Sequence, residues 1–305
     1  MMNNSIFNKY PVAVCAADGT AALLSPMAEE LLGRFNMSDG ICTFMSDADK
    51  VLFDIVMNST KPRPFTVAAV MRGEYTHISV TPMDVGDMRI CVAVFHRESD
   101  EVCCHKITMA DLSDLMDEIA GSDVLRKYAS PMFPLLDITA ATRRIYNDLC
   151  ERGICDLEAD FSDLDAEDRM IPGEMGLQNY IYMMTAAVSA MSELAGRTKI
   201  RFSAEESACG FNLKIRAGLS RELYGNSIAA EIISPACRAR LAICEAVASN
   251  NSLGFGIVFE GDALLMSLEG IAVTSDHDFK SHYRYEGYEE MLLRAISAVE
   301  AVSAA

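Results

Sequence analysis

Short apolar runs alternate with turn residues through the first third of the chain. Residues 11–15 form one apolar run that ends at the turn dipeptide Asp18-Gly19, and such runs predict strands. Ser25 followed by Pro26 predicts the N-cap and first position of a short helix. A second helical stretch and three further strands follow, at residues 47–58, 65–71, 75–81 and 88–95. Residues 1–100 are therefore predicted to form an antiparallel-sheet domain that carries helices.

The next segment, residues 101–152, has apolar residues in steps of three and four. Two stripes follow this spacing, one of Met109, Leu112, Met116 and Ile119, the other of Tyr128, Pro131, Leu135, Ile138, Thr142, Ile145 and Leu149. Such spacing is typical of helices that pack along a narrow seam. It predicts a helical hairpin, which either forms a dimerisation bundle or packs as an amphipathic pair within the chain.

Longer elements are predicted in residues 153–305. Residues 177–194 and 235–249 have the composition of helices, and residues 199–202, 211–215, 253–259 and 263–268 that of strands. The last two strands flank the turn Gly261-Asp262. A terminal helix from Gly287 onward places Leu292, Ile296 and Val299 on one face. The whole chain is therefore predicted to be α+β, and its last domain to be a sandwich with helices on one face of a mixed sheet.

Charge and composition restrict the function classes. The formal net charge of −18 excludes nucleic acid as an expected partner, because binding phosphates requires clustered Lys and Arg. It also disfavours an anionic membrane surface. No apolar run approaches the roughly 20 residues that cross a bilayer, and the N-terminus lacks the pattern of a signal peptide. The ten cysteines have no repeated spacing and are predicted to be free thiols in a cytoplasmic protein.

Two stretches resemble the parts of a sensor histidine kinase. The stretch YPVAVCAADGTAALLSPMAEELLG resembles the opening of a PAS sensor domain, in which a strand, an Asp-Gly turn and a capped helix recur. The stretch LAICEAVASNNSLGFGIVFEGDALLMSLEGI resembles the final helix and hairpin of the GHKL-type ATPase domain. The resemblance implies a PAS-like domain, dimerisation helices and an ATPase-like domain, at residues 1–100, 101–152 and 153–305.

A cofactor in the PAS-like domain is not predicted. Haem versions of the family present an axial His from a helix, and flavin versions a reactive Cys, whereas residues 47–58 contain neither. His77 lies in a predicted strand, where a solvated face accounts for it. A small apolar ligand, or no ligand, remains open for this domain.

The resemblance also identifies positions where the family holds its nucleotide. Ser189 stands where the family has an Asn that holds Mg²⁺ against the phosphates. Arg216 stands at the Asp that binds adenine, and Gly218 at a glycine of the same motif. Arg238 and Arg240 replace the glycine pair whose amides cradle phosphate. These replacements predict that conventional ATP binding is lost.

The phosphoacceptor of the family is also predicted to be lost. The acceptor His lies five positions before a Pro, and counting back from Pro134 places Ala129 there. Imidazole is nucleophilic at neutral pH, and a methyl group is not. The nearby His105 precedes the first predicted helix and lacks the expected surroundings.

No metal site is predicted. The acidic residues 156–168 match four positions of a calcium loop, but Phe161 occupies the position that requires Gly, which favours an acidic linker. Asp276, His277, Asp278 and His282 lie in a polar loop-like stretch, and Cys103-Cys104-His105 lacks a second pair of ligands.

The sequence therefore favours a cytoplasmic two-component signalling protein of the pseudokinase kind, a homodimer that docks a response regulator or another signalling protein and is not an enzyme. One alternative is a divergent but active histidine kinase or phosphotransferase. Another is a small-ligand-sensing PAS protein whose C-terminal domain is structural.

Overall fold

The computed structural model divides the chain into two compact units, one of Met1–Met57 with Pro62–Met132 and one of Asn58–Lys61 with Phe133–Ala305. It describes residue 7 and residues 10–33, 40–59, 61–71, 74–85, 88–97, 136–165, 172–173, 175–207, 210–219, 233–271 and 287–304. The fold is α+β, as the sequence predicts, with an antiparallel sheet in the first unit and a mixed sheet in the second. No helix in these ranges is both long and apolar enough to span a bilayer.

The N-terminal unit is built on a five-stranded antiparallel sheet of order β2-β1-β5-β4-β3. Its strands are β1 Val12–Ala16, β2 Ala21–Leu24, β3 Phe65–Met71, β4 Glu74–Val85 and β5 Met88–Arg97. Between β2 and β3 lie helix α1 Pro26–Leu32, a 3₁₀ turn at Ile41–Phe44 and helix α2 Asp47–Met57. The predicted order of strand, helices and three antiparallel strands is confirmed, and β2 is an additional strand.

Ser25 connects the sheet to α1. Its hydroxyl accepts from the amides of Ala28 (3.1 Å) and Val12 (2.9 Å) and donates to the carbonyl of Tyr10 (2.8 Å). It is thus the N-cap of α1 that the Ser-Pro pair predicts. Gly33 ends the helix with φ of 68°, a left-handed value that suits glycine.

The C-terminal unit contains a mixed sheet of order β11-β12-β10-β9-β7 and a two-stranded pair of β6 with β8. Its strands are β6 Leu136–Asp137, β7 Ala159–Phe161, β8 Pro172–Gly173, β9 Ala195–Ser207, β10 Gly210–Leu219, β11 Gly254–Glu260 and β12 Ala263–Ile271. Its helices are α3 Ile138–Glu151, α4 Ser162–Asp165, α5 Leu177–Leu194, α6 Pro235–Asn250 and α7 Tyr288–Ala304. Strands β7 and β9 run parallel, and the other pairs run antiparallel.

Alternation along β10 separates the two faces of this sheet. Leu213, Ile215 and Ala217 are buried, whereas Lys214 and Arg216 lie on the opposite face. Helix α5 packs against α3, α6, α7 and β9, and it is buried from Leu177 to Val188. Because every residue from Leu177 to Val188 is buried, α5 is the central helix of the unit. The predicted sandwich of helices and a mixed sheet is confirmed.

Helix α3 contains the described part of the second predicted seam. Ile138, Thr142, Ile145 and Leu149 are all buried, and α3 packs against α5. The Thr142 hydroxyl donates to the Ile138 carbonyl at 2.6 Å and is hydrogen-bonded to the Tyr180 hydroxyl of α5. The described seam is thus covered by α5 within this unit, while residues 101–135 lie outside the described ranges. The homodimer and the domain boundary at residue 152 stay predictions.

Candidate functional site

The candidate site lies where the end of α5 meets the start of α6. Helix α5 presents Ser189 and Glu193 four residues apart, hence on one face. Helix α6 begins at Pro235, and its N-cap Ser234 accepts from the Cys237 amide at 2.9 Å. The Ser234 hydroxyl donates to Glu193 Oε1 at 2.5 Å. A carboxylate therefore lies beside the positive end of the α6 dipole.

Arg240, on the second turn of α6, joins three helices. Its Nη1 lies 2.7 Å from Glu193 Oε2 and 3.4 Å from the Ser189 carbonyl of α5. Its Nε donates to the Ser303 hydroxyl of α7 at 3.2 Å. The guanidinium thus has acceptors on α5 and α7, and its charge is opposed by Glu193. We call Ser189, Glu193, Ser234, Arg240 and Ser303 the Arg240 cluster.

The Arg240 cluster is partly shielded from water. The side chains of Arg240 and Glu193 are 22% and 34% exposed, so their attraction is stronger than that of a fully solvated pair. Beneath them, burial raises the pKa of the Cys237 thiol to about 11, and the nearby Glu193 carboxylate adds to the effect. Cys237 is therefore a neutral thiol at physiological pH.

Ser189 satisfies its hydroxyl within its own helix. The hydroxyl donates to the Thr185 carbonyl at 2.7 Å, and the residue is partly buried. Serine in a helix commonly bonds back to the carbonyl four residues earlier. Its carbonyl, not its hydroxyl, contacts Arg240.

Helix α7 is held at both ends. At its start the Tyr288 hydroxyl donates to Asp148 Oδ2 of α3 at 2.5 Å, and the Arg144 guanidinium lies 4.1 Å from the centre of the Tyr288 ring. Burial raises the pKa of Tyr288, and the hydrogen bond to Asp148 acts in the same direction. At its end Ser303 accepts from Arg240. Helix α7 therefore links α3 to the Arg240 cluster.

The structure brings Ser189 and Arg240 together and places Arg216 elsewhere. Arg216 lies on the sheet face opposite the buried residues of β10, and its Nη2 is 3.9 Å from Glu260 Oε2. Gly218, on the same strand, pairs with Ala263 of β12. Arg238 is exposed on α6. Their proposed origin as replaced nucleotide-binding residues stays a prediction.

The acidic stretch before α5 forms ion pairs with β9. Glu158 Oε1 lies 2.7 Å from Lys199 Nζ, and Asp160 Oδ2 lies 3.1 Å from Arg201 Nη2. Hydrogen bonds from Ser162, followed by the contact with Arg201, lower the pKa of Asp160. Among the residues that the structure describes, no group of three or more His, Cys, Asp or Glu side chains is placed to hold a metal.

Several predicted positions lie outside the described residues. They are Ala129, the stretch Cys103-Cys104-His105 and the group Asp276, His277, Asp278 and His282. Sequence reasoning, in turn, missed Glu193, Ser234 and Ser303. Only Ser234 has a local signal, because Ser before Pro at a helix start indicates an N-cap. Glu193 and Ser303 meet Arg240 through tertiary packing, which local spacing does not reveal.

Comparisons with known proteins find matches among solved structures alone. No family model matches the chain, and no curated protein matches it in sequence. Among solved structures, the Acinetobacter baumannii histidine kinase AdeS is 13% identical, covering 55% of this chain and 86% of that one, with a TM-score of 0.37. The Erythrobacter litoralis blue-light activated histidine kinase EL346 is 10% identical over 88% and 96%, with a TM-score of 0.27.

A third similar structure is the histidine kinase ThkA in complex with the response regulator protein TrrA. It is 13% identical, covers 88% of this chain and 97% of that one, and has a TM-score of 0.31. At these identities and TM-scores, neither the fold nor the activity of these kinases is transferred to this chain.

Proposed function

We propose that this chain is a signal-transduction protein whose C-terminal unit resembles a histidine kinase ATPase domain but acts without conventional ATP binding. The proposal rests on the resemblance of the sequence to a sensor histidine kinase and on the contacts within the Arg240 cluster. In this account the chain senses through its PAS-like N-terminal unit and acts by docking a partner.

The observation that carries this proposal is the pairing of Glu193 with both Arg240 and Ser234. The N-terminus of a helix attracts phosphate through its free amides and its dipole. At α6 a carboxylate already lies 2.5 Å from the capping hydroxyl and 2.7 Å from the only guanidinium of the cluster. An incoming phosphate would meet the negative charge of Glu193 and would have to displace it from Arg240.

The positions of Ser189 and Arg216 support the same proposal. Ser189 presents a short hydroxyl, which donates to the Thr185 carbonyl, in place of the longer amide side chain whose oxygen the family uses to hold Mg²⁺. Arg216 is a cation paired with Glu260, so it lacks the acceptor that would recognise an adenine amine. Neither residue provides the group that the family uses.

The partner and the location are further parts of the proposal. A response regulator or another signalling protein is the partner class that the family resemblance implies, and the chain would present it as a homodimer. A cytoplasmic location agrees with the thiols: Cys15, Cys42, Cys91, Cys150, Cys155, Cys237 and Cys244 are free in the structure.

The direct test is phosphate transfer. The full chain is incubated with radiolabelled ATP and Mg²⁺, and separately with a phosphorylated receiver protein, and acid-labile, base-stable label is measured. The proposal expects no label above the level of a heat-denatured sample. Stoichiometric label in either reaction would overturn it and would favour an active kinase or phosphotransferase.

A further inference from the structure

The four edge strands of the two sheets differ in how they are protected. An edge strand presents unpaired backbone groups, and proteins usually block it with bulges, charges or short length. Strand β2 has four residues and a register shift against β1, and β7 has only three residues. On β3, Ala69 is bridged to Met45. Each of these three edges is therefore shortened, irregular or partly paired.

Strand β11 has none of these protections. It pairs with β12 in one unbroken register from Gly254 to Glu260, without a bulge. Its sequence GFGIVFE contains no Pro, Lys or Arg, and its one charged residue is at the end. Among the described residues no strand pairs with its other side. Val258 and Phe259 are 49% and 38% exposed, so the edge is accessible and apolar.

We propose that β11 pairs with β11 of a second copy, antiparallel about a two-fold axis at Ile257. This pairing places Phe255 opposite Phe259, and Gly256 opposite Val258. Aromatic pairs across strands are stabilising, and the side chain of Val258 covers the bare backbone at Gly256. The C-terminal sheets of the two copies then form one continuous sheet, in which the two β11 strands are antiparallel neighbours.

The proposed register keeps like charges apart at the junction. Glu260 falls opposite Gly254, so the two carboxylates of the dimer do not face each other. Glu260 is also 3.9 Å from Arg216 of its own chain, which offsets part of its charge. The net charge of −18 on each chain opposes association over longer distances, and salt screens it. The dimer is therefore expected to strengthen as ionic strength rises.

In the proposed pairing, each β11 side chain stays on the sheet face that it occupies in the single chain. Residues directly opposite in an antiparallel pair lie on the same face of a sheet. Phe255, Ile257 and Phe259 share the face of buried Leu268, Met266 and Leu264, their partners on β12. The half-exposed Phe259 is then covered by Phe255 of the second copy. This interface does not depend on whether the Arg240 cluster binds nucleotide.

The test is sedimentation velocity of the full chain over a series of concentrations. A single strand pair is small beside the roughly 1,200 Å² that stable interfaces bury, so a concentration-dependent dimer is expected. Val258→Lys should raise its dissociation constant at least about tenfold, because lysine on an edge strand disfavours pairing and the two lysines of the dimer would be diagonal neighbours of like charge across the junction. The matched control is Val70→Lys, since Val70 is 52% exposed on the partly paired edge β3. It should leave the constant unchanged.

Cross-linking keeps the inference testable if Val258→Lys fails to fold. Ile257→Cys should form a disulfide between two copies under mild oxidation, identified by mass spectrometry as position 257 linked to itself, and Val70→Cys should not form the equivalent link. A chain that stays monomeric at all concentrations would overturn the inference. So would a dimer that both lysine variants weaken equally, or a dimer in which position 257 does not cross-link.

Discussion

Arg240 of α6 and Glu193 of α5 form an ion pair with 2.7 Å between Nη1 and Oε2. The family resemblance predicts a phosphate-binding position at the start of α6. In this chain Glu193 of α5 contacts Ser234 and Arg240 there. Arg240 also reaches Ser303 of α7, so the same side chain fixes the end of the terminal helix. The cluster therefore has a structural role that is independent of any ligand.

Removing the guanidinium should destabilise the C-terminal unit. Arg240→Ala loses the ion pair and its hydrogen bonds to α5 and α7, and we expect the free energy of unfolding to fall by about 1–2 kcal/mol. Arg238→Ala on the exposed side of the same helix should change it by no more than about 0.5 kcal/mol. Urea denaturation measures both. Equal losses would contradict the assigned role of Arg240.

The start of α7 should be weakened by loss of one hydroxyl. Tyr288→Phe removes the donor to Asp148 but keeps the ring under Arg144, and we expect a loss of about 1 kcal/mol. Hydrogen exchange should increase in α7 more than in β9 and β10. Leu293→Ala serves as the control, because Leu293 is 50% exposed on the same helix. Unchanged exchange in α7 would show that the Tyr288 contact does not hold the helix.

Ile138 gives a way to separate folding from association. It is 1% exposed in α3, so Ile138→Asp buries a carboxylate among apolar residues. We expect the C-terminal unit to lose about 3 kcal/mol or more of stability. Circular dichroism melting combined with sedimentation distinguishes this outcome from simple dissociation. A variant that becomes monomeric with an unchanged melt would instead place Ile138 in a dimer seam.

Alkaline pH should weaken the fold through its buried thiols. The pKa of Cys237 is raised from 9.0 to about 11 in the folded chain, so folding favours the neutral thiol. This contribution is complete below pH 9 and is lost as the pH rises towards about 11, since the unfolded chain releases its proton first. Cys237→Ala should flatten the decrease in stability over that window. Urea titrations at several pH values measure the slope, and an identical slope in the variant would refute the assignment.

The sequence predicts elements better than it predicts the site. Helix α5 and strand β3 begin and end at the predicted residues, because their apolar patterns are long and end at clear breaks. Strand β2 was missed, since its four residues, two Ala and two Leu, include no β-branched or aromatic side chain and lie directly between a turn and an N-cap. The local pattern of apolar residues therefore predicts long elements well and short ones poorly.

The pairings within the site depend on tertiary structure. Ser189 and Arg240 were identified through the family resemblance, and the structure places them in contact. Glu193 and Ser303 lie 47 and 63 residues from Arg240 along the chain, so no local spacing connects them. Arg216 was grouped with these positions by its offset in the motif, although alternation along β10 places it on the other face of the sheet.

The most direct test of the central claim is the binding of Mg·ATP to the full chain, measured by titration calorimetry. With Glu193 paired to Arg240 and Ser234, we expect no saturable binding at concentrations up to the millimolar range. Saturable binding in the micromolar range that Arg240→Ala abolishes and Arg238→Ala preserves would contradict the account, because it would show that the Arg240 cluster receives a nucleotide.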